Sequence, residues 1–408
     1  MTIFVILAAG KGTRLWPITE TVPKCMVRVL GKPLLQWIVE GVVESAEKIV
    51  LVVGCKKEQV TEFFNNKPYK EKLVFVEQEK QEGTAHALLQ AEGEVEEDFV
   101  VVNGDNFFST DELEEVCRQS HTRKTFVFAK KVDDCRNFGV FDVKDGKISG
   151  FQEKPKEKKP GLVNLNLFKA PKSFFEFLKK VEKSPRGEYE LPDALLQFAK
   201  ESNPGVLELQ GFWSDVGFFW NLIDVNAFAA EHLAQAEENG EVEDGVTVKG
   251  NIFVGKGTIV KAPSRIEGPV WIGENCVIGP NAFLRKGTVV ENNCHVGASE
   301  IKNSVLLSGS NAPHFSYVGD SLLCEKVNLG AGTKIANLRF DDGSVRVSFP
   351  NNGKEYDSGR RKLGAVIGAG TKTGINSSVN CGVLIGSSCR VFPGGVVEQS
   401  VKSNGSVK

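Results

Sequence analysis

"VGKGTIVKAPSRIEGPVWIGENCVIGPN" spans residues 254–281, and its aliphatic residues Val254, Val260, Ile266, Ile272 and Ile278 recur every six positions. A period of six fits neither an amphipathic helix nor a strand that alternates between two faces. It is the spacing of a hexapeptide repeat, in which short strands coil into a parallel β-helix and stack one aliphatic residue per repeat in the core. The phase runs from Val248 through Leu284, Val290 and Val296. It returns at Ile367, Thr373, Val379, Ile385, Val391 and Val397, with one polar member. The interruption at 339–363, RFDDGSVRVSFPNNGKEYDSGRRKL, reads as a hairpin projecting from the coil.

Upstream the period changes. Short runs rich in Val, Ile and Phe at 3–9, 48–54, 72–78 and 98–105 alternate with amphipathic stretches at 33–46 and 56–66. Strands alternating with helices predict an α/β domain with a mostly parallel sheet, whose ligands bind beyond the carboxyl ends of the strands. Residues 218–238 read as a helix joining the two regimes. The expected division is therefore 1–230, a helical linker end at 231–244, and a β-helix over 245–401 with the inserted hairpin.

Composition narrows the function. The 408 residues carry a net charge of −2, with 41% hydrophobic and 25% charged residues. Nothing electrostatic points to nucleic acid or to an anionic membrane surface. No apolar run reaches the ~18 residues of a membrane span. The start reads as a first strand and not as a leader peptide. Nine Cys are scattered without CxxC pairs, which argues against a disulfide framework and a zinc site and fits a reducing cytoplasm.

The stretch LAAGKGTRLWPITETVPKCM (7–26) follows the first strand directly. Gly10 and Gly12 permit a tight turn and let backbone N–H groups approach phosphate oxygens. Arg14 and Lys24 add positive charge suited to a triphosphate. The spacing is neither GxGxxG nor GxxxxGK[ST]. A Gly-rich turn with two exposed basic residues is the bland alternative, and an isolated Asp after a strand is usually a turn former. Ordered co-occurrence along the domain argues against both.

LAAGKGTRL with the following PK resembles the signature of sugar-1-phosphate nucleotidylyltransferases, and the resemblance continues in order. QEKQEGTAHAL (78–88) is similar to the family's base-reading segment, which implies nucleotide contacts at Gln78, Gly83 and Thr84. NGD (103–105) and FWSDVG (212–217) imply metal-binding aspartates at Asp105 and Asp215, holding Mg²⁺. FGV, EKP and VNLNLF imply sugar contacts at Gly139, Glu153, Lys154 and Asn164. Asn166 departs from the pattern, where the family has Gly. The implied reaction is attack of a sugar-1-phosphate oxygen on the α-phosphate of UTP or dTTP, with release of pyrophosphate. Arg14 and Lys24 would act as catalytic cations, since such transfer depends on positioning and charge neutralisation.

In the repeat region, EIKNS (300–304), PHFSYVGDS (313–321) and VNLGAGTKIAN (327–337) resemble the acetyltransferase domain of the bifunctional N-acetylglucosamine-1-phosphate uridylyltransferase/glucosamine-1-phosphate acetyltransferase family, in its archaeal two-domain versions. The resemblance implies His314 as catalytic base, which suits a proton transfer near neutrality. It implies substrate contacts at Arg285, Lys302, Tyr317, Asn328 and Asn337, and an acetyl-CoA groove from Ala331 onward. Leu338 departs from the bacterial pattern, as does the hairpin with Arg346, Arg360, Arg361 and Lys362. The implied architecture is a Rossmann-like nucleotidyltransferase domain followed by a left-handed parallel β-helix. The implied partners are a nucleoside triphosphate, a sugar 1-phosphate, acetyl-CoA and two further copies of the chain in a homotrimer. Two alternatives stand beside this one: a glucose-1-phosphate uridylyl- or thymidylyltransferase whose coil only oligomerises or regulates, and a scaffold subunit that has lost catalysis.

Overall fold

The computed structural model describes residues 2–122, 125–136, 138–144, 146–234 and 239–408. The chain divides into two compact units. One holds the residues up to Lys11, Pro23–Met26 and Pro33–Asp215; the other holds Gly12–Val22, Val27–Lys32 and Val216–Lys408.

The first unit is built on a nine-stranded sheet. Thr2–Ala8, whose seven residues are all buried, is its centre and pairs in parallel with Ala46–Val53 and Phe99–Asn103. Leu73–Glu77 extends the sheet in parallel beyond Ala46–Val53. All four strands expected from the Val- and Ile-rich runs are present. Thr2–Ala8 and Phe99–Asn103 are buried on both faces and so carry no alternation of polar residues, whereas the edge strand Leu73–Glu77 is fully buried only at Leu73. The expected helices are Leu34–Val42 and Lys57–Asn65, each burying one stripe. Beyond Phe99–Asn103 the sheet turns antiparallel. Gly161–Ala170 pairs with Phe99–Asn103, with Phe126–Val132 and with Gly139–Lys144, and the last of these pairs with Lys147–Glu153. Within this half Gly139–Lys144 and Lys147–Glu153 are joined as a hairpin, whereas Gly205–Glu208 follows the helix Leu191–Ser202 and pairs in parallel with Phe126–Val132.

The second unit is a parallel β-helix. Val260 pairs with Ile278 and Ile278 with Val296, eighteen residues apart, so three hexads close one coil. Of the phased residues, Val254 through Val296 and Ile367 through Val397 are buried, Thr373 included. Val248 is the exception at 37% exposed. It lies in the first coil, with no coil before it among the described residues, whereas residues 239 and 240 donate to the Val254 carbonyl and cover that neighbour. The interruption is a hairpin as expected, with Arg346–Phe349 antiparallel to Lys354–Asp357 and a bridge between Leu338 and Lys362 at its base. The joining helix spans Phe219–His232; the expected continuation over 235–238 lies outside the described residues. No helix among the described residues is long and apolar enough to cross a membrane.

Candidate functional sites

In the first unit the polar residues gather at the carboxyl ends of the parallel strands. Asp105 follows Phe99–Asn103, and the short strand Trp213–Asp215 pairs antiparallel with Asn106–Phe108, which sets Asp215 opposite Asn106. Lys24 lies between the two aspartates. Its ammonium is hydrogen-bonded to Asp105 Oδ2 and stands 3.7 Å from Asp215 Oδ1. A cation is thus already shared by both carboxylates, the arrangement a divalent ion would exploit. No group of three or more His, Cys, Asp or Glu side chains that could hold a metal ion is found among the described residues. Two carboxylates suit Mg²⁺, which keeps water and takes phosphate oxygens for its remaining positions.

The residues expected to bind nucleotide sit on the neighbouring turns. A Cβ at Gly10 would meet nothing within 4 Å. Gly83 has φ of +115°, and a side chain there would collide with the Tyr189 backbone. Gln78 is buried, and its Nε2 lies 3.0 Å from both the Gly83 carbonyl oxygen and His86 Nδ1. The Gly83 carbonyl accepts from one of its N–H groups, which fixes the amide orientation with Oε1 as the acceptor end. The Thr84 hydroxyl accepts from the Leu191 N–H at 3.0 Å and ties this helix start to the next element.

Sugar-station residues lie on adjacent strands. A Cβ at Gly139 would collide with the Phe151 ring and reach 2.9 Å from Glu153 Oε2. Glu153 pairs with Lys154 at 3.3 Å and with Arg186 at 3.2 Å. Asn164 forms a reciprocal pair with Asn166, at 2.7 Å and 2.9 Å. Arg186 also meets Glu190 at 2.9 Å. Burial raises the Glu190 and Asp193 carboxyls above the usual carboxylate range, and the Glu153 charge adds to both. Arg186, Glu190 and Asp193 escaped the sequence reading; the RGEYELPD run that carries them has no spacing that announces a site.

Gly12 and Arg14 belong to the second unit. Gly12 is left-handed at φ 64°, and the Arg14 guanidinium lies 4.9 Å over the Phe218 ring. Glu20 closes the same loop. Burial works to raise its carboxyl, but hydrogen bonds from Ser387, Ser403 and Trp16 outweigh burial and hold it below the usual range.

The β-helix positions its polar residues by register. Arg285, Lys302 and Gly319 share one rung, as do Glu300, Tyr317 and Lys334, and Ala298 lies beside His314. Gly332 donates to the His314 carbonyl at 3.0 Å, which brings Ala331 onto the next coil at the same corner. Asn328 bridges Asn311 and Lys372. His314 is exposed, and its ring makes no hydrogen bond among the described residues. The hub is a residue the sequence reading missed. Asp320, 6% exposed, accepts from Lys302 at 3.0 Å, from Asn303 at 2.8 Å and from Asn337 at 2.5 Å. Asn337 also donates to the Tyr317 hydroxyl at 3.3 Å. Three of the expected contacts therefore converge, and a buried carboxylate holds two of them directly. Arg285 is paired with Glu300 at 2.7 Å. His295 was missed as well. Burial, then the nearby His314 and Lys261 charges, hold its imidazole below the ordinary value. In the hairpin, Arg346 pairs with Glu355, Arg361 with Asp342 and Arg360 with Asp224.

Known proteins share this organisation. The nucleotidyl transferase family matches residues 3–232, and the bacterial transferase hexapeptide (six repeats) family matches residues 269–303. The chain is 40% identical over 402 residues to the bifunctional protein GlmU of Methanocaldococcus jannaschii, covering 98% of this chain and 96% of that one. It is 40% identical over 398 residues to a bifunctional sugar-1-phosphate nucleotidylyltransferase/acetyltransferase of Sulfurisphaera tokodaii, covering 97% of each chain. A glucose-1-phosphate thymidylyltransferase of Streptomyces antibioticus is 30% identical over 80% of this chain and 92% of its own. Among solved structures, that of a putative glucose-1-phosphate thymidylyltransferase from Bacillus anthracis superposes with a TM-score of 0.50 at 29% identity, over 56% of this chain and 95% of that one. With a strand-end aspartate pair in one unit, a hexad coil in the other and relatives alike over nearly their whole length, the chain belongs to the family of bifunctional sugar-1-phosphate nucleotidylyltransferases/acetyltransferases.

Proposed function

We propose that residues 1–230 carry a Mg²⁺-dependent transfer of UMP or dTMP from the triphosphate to a sugar 1-phosphate. The observation that carries this reading is the Lys24 ammonium placed against both Asp105 and Asp215. Asp105 and Asp215 would hold the ion, which when bound neutralises phosphate charge and supplies Lewis acidity. Lys24 then turns to the phosphates and stabilises charge moving from the attacking sugar-phosphate oxygen to the leaving pyrophosphate. The open space at Gly10 supports close approach of phosphate to the backbone, since no internal packing asks for glycine there. Gln78 Oε1 accepts the N3–H shared by uracil and thymine, so this contact alone reads a pyrimidine imide. Glu153 accepts from sugar hydroxyls once it exchanges its Arg186 partner. Mg²⁺-dependent pyrophosphate release from UTP tests the assignment: Asp105→Asn and Asp215→Asn should each abolish it, and release that survives both would refute the metal site.

The β-helix over 245–401 carries acetyl-CoA-dependent N-acetylation of glucosamine 1-phosphate. His314 takes the proton as the amine attacks the thioester carbonyl and coenzyme A leaves. Lys302, held by Asp320, and Arg285 meet the phosphate, and Asn337 and Tyr317 border the sugar. Exposed Phe315, Ile375, Phe392 and Val396 on the single chain support packing against further copies in a homotrimer. The reduced, scattered cysteines support a cytoplasmic setting. A second reading, with glucose 1-phosphate as the nucleotidyl acceptor, draws on the likeness to the thymidylyltransferases.

A further inference from the structure

Asn166 stands where the signature otherwise asks for glycine, and the backbone shows why a side chain is tolerated there. Its φ is +49°, in the left-handed region that glycine adopts freely and asparagine adopts better than most residues. The residue lies in a register break of Gly161–Ala170, between Asn164 and Leu167, where the pairing with Phe126–Val132 is interrupted. Leu165, between the two asparagines, is buried, and its carbonyl accepts from Asn106 Nδ2 at 3.2 Å. The break is therefore tied to the residue that follows Asp105.

The two carboxamides fix one another. The Asn166 backbone N–H donates to Asn164 Oδ1 at 2.9 Å, which identifies the other terminal atom of Asn164 as its nitrogen. That nitrogen donates across 2.7 Å, so the receiving atom of Asn166 is its oxygen. The Asn166 nitrogen is then left with two N–H groups that have no acceptor among the described residues. Glycine at 166 would keep the backbone N–H to Asn164 Oδ1 but would lose the side-chain acceptor for the Asn164 nitrogen and both remaining N–H groups.

We propose that Asn166 is a specificity-determining residue that reads the 2-acetamido group of a sugar 1-phosphate, its carboxamide N–H donating to the acetamido carbonyl. This rests on the placement of Asn164 in the sugar site. The chemistry separates the acceptors. A sugar hydroxyl can donate to the Glu153 carboxylate, but an amide carbonyl only accepts and needs an N–H. A site built to donate to a group discriminates against the analogue that lacks it. The same group is what the acetyl transfer proposed for the β-helix would install.

The test compares kcat/KM for N-acetylglucosamine 1-phosphate and glucose 1-phosphate, with UTP and Mg²⁺, in the full-length parent, Asn166→Gly and Asn166→Asp. Glycine suits the left-handed backbone, so the fold is kept. Aspartate keeps the acceptor for Asn164 and removes the N–H donors. The preference for the acetamido sugar should fall about tenfold in both variants, the size of one well-made hydrogen bond. A purely structural role would lower both sugars alike and leave their ratio unchanged, and an unchanged ratio in both variants overturns the inference. Asn164→Ala is the control: pyrophosphate release that ignores this change in the parent background removes the sugar site itself, and the inference with it.

Discussion

The two units hold their polar residues by opposite means. In the β-helix, register does the placing: Arg285, Lys302 and Gly319 share a rung because coils stack in parallel, and Asp320 has only to clamp what stacking delivers. In the α/β unit the residues arrive from separate turns, and irregular backbone aims them. Gly83 is forced by the Tyr189 backbone, Lys154 has φ of +46°, and Asn166 sits in a register break. Charge is stored in pairs in both units, as Lys24–Asp105 and Glu153–Arg186 in the one and as Arg285–Glu300 and Lys302–Asp320 in the other, while the coil in addition presents His314 exposed.

The largest expected effect is at Lys24. Lys24→Ala should lower pyrophosphate release about 10²–10³-fold, as loss of a charge-stabilising donor does, while thiol release from acetyl-CoA is retained. A parallel fall in both activities would break the contrast between the units. Next comes the clamp. Asp320→Ala leaves the Lys302 ammonium and the Asn337 amide without their shared acceptor, and should cost about 3 kcal/mol in denaturant unfolding along with a raised KM for the amino sugar. If KM alone moves, stacking places these residues without the clamp. Ile278→Ala, in the middle of the fully buried stack, should cost about 3 kcal/mol, with little change in pyrophosphate release.

The smallest effect is a pH dependence at His295. Its imidazole takes a proton less readily in the folded chain than in the unfolded one, because burial and the charges of His314 and Lys261 oppose it. Stability should therefore be full above about pH 6.5 and decline as pH falls below that value. His295→Gln should flatten the decline in thermal unfolding between about pH 7 and pH 5. An equal slope in the variant assigns the dependence elsewhere.

Much of this was legible in the sequence, for reasons that differ between the units. The hexad phase announced the coil because every aliphatic position needs the same burial; it failed only at Val248, where the first coil has no predecessor. The α/β motifs gave Lys24, Asp105 and Asp215 as a group, and the chain brings those three together. The antiparallel strands around Gly139–Lys144 interrupt the expected parallel pairing, which returns where Gly205–Glu208 follows the helix Leu191–Ser202. Asp320 stayed hidden because a lone Asp after VG reads as a turn residue; its role appears only when Lys302 and Asn303 from the preceding coil and Asn337 from the following one converge on it. Arg186 stayed hidden because its partner Glu153 is 33 residues away. Conversely, Gly12 and Arg14 read as one motif with Lys24, yet they pack in the unit that contains the coil.

The central claim is that one chain carries two chemistries, and thiol release from acetyl-CoA tests it most directly. With glucosamine 1-phosphate as acceptor, the parent should release thiol, and His314→Ala should lower the rate about 10²–10⁴-fold while pyrophosphate release is retained. A folded parent that releases no thiol with glucosamine 1-phosphate, or a His314→Ala chain that releases it at the parent rate, would contradict the account.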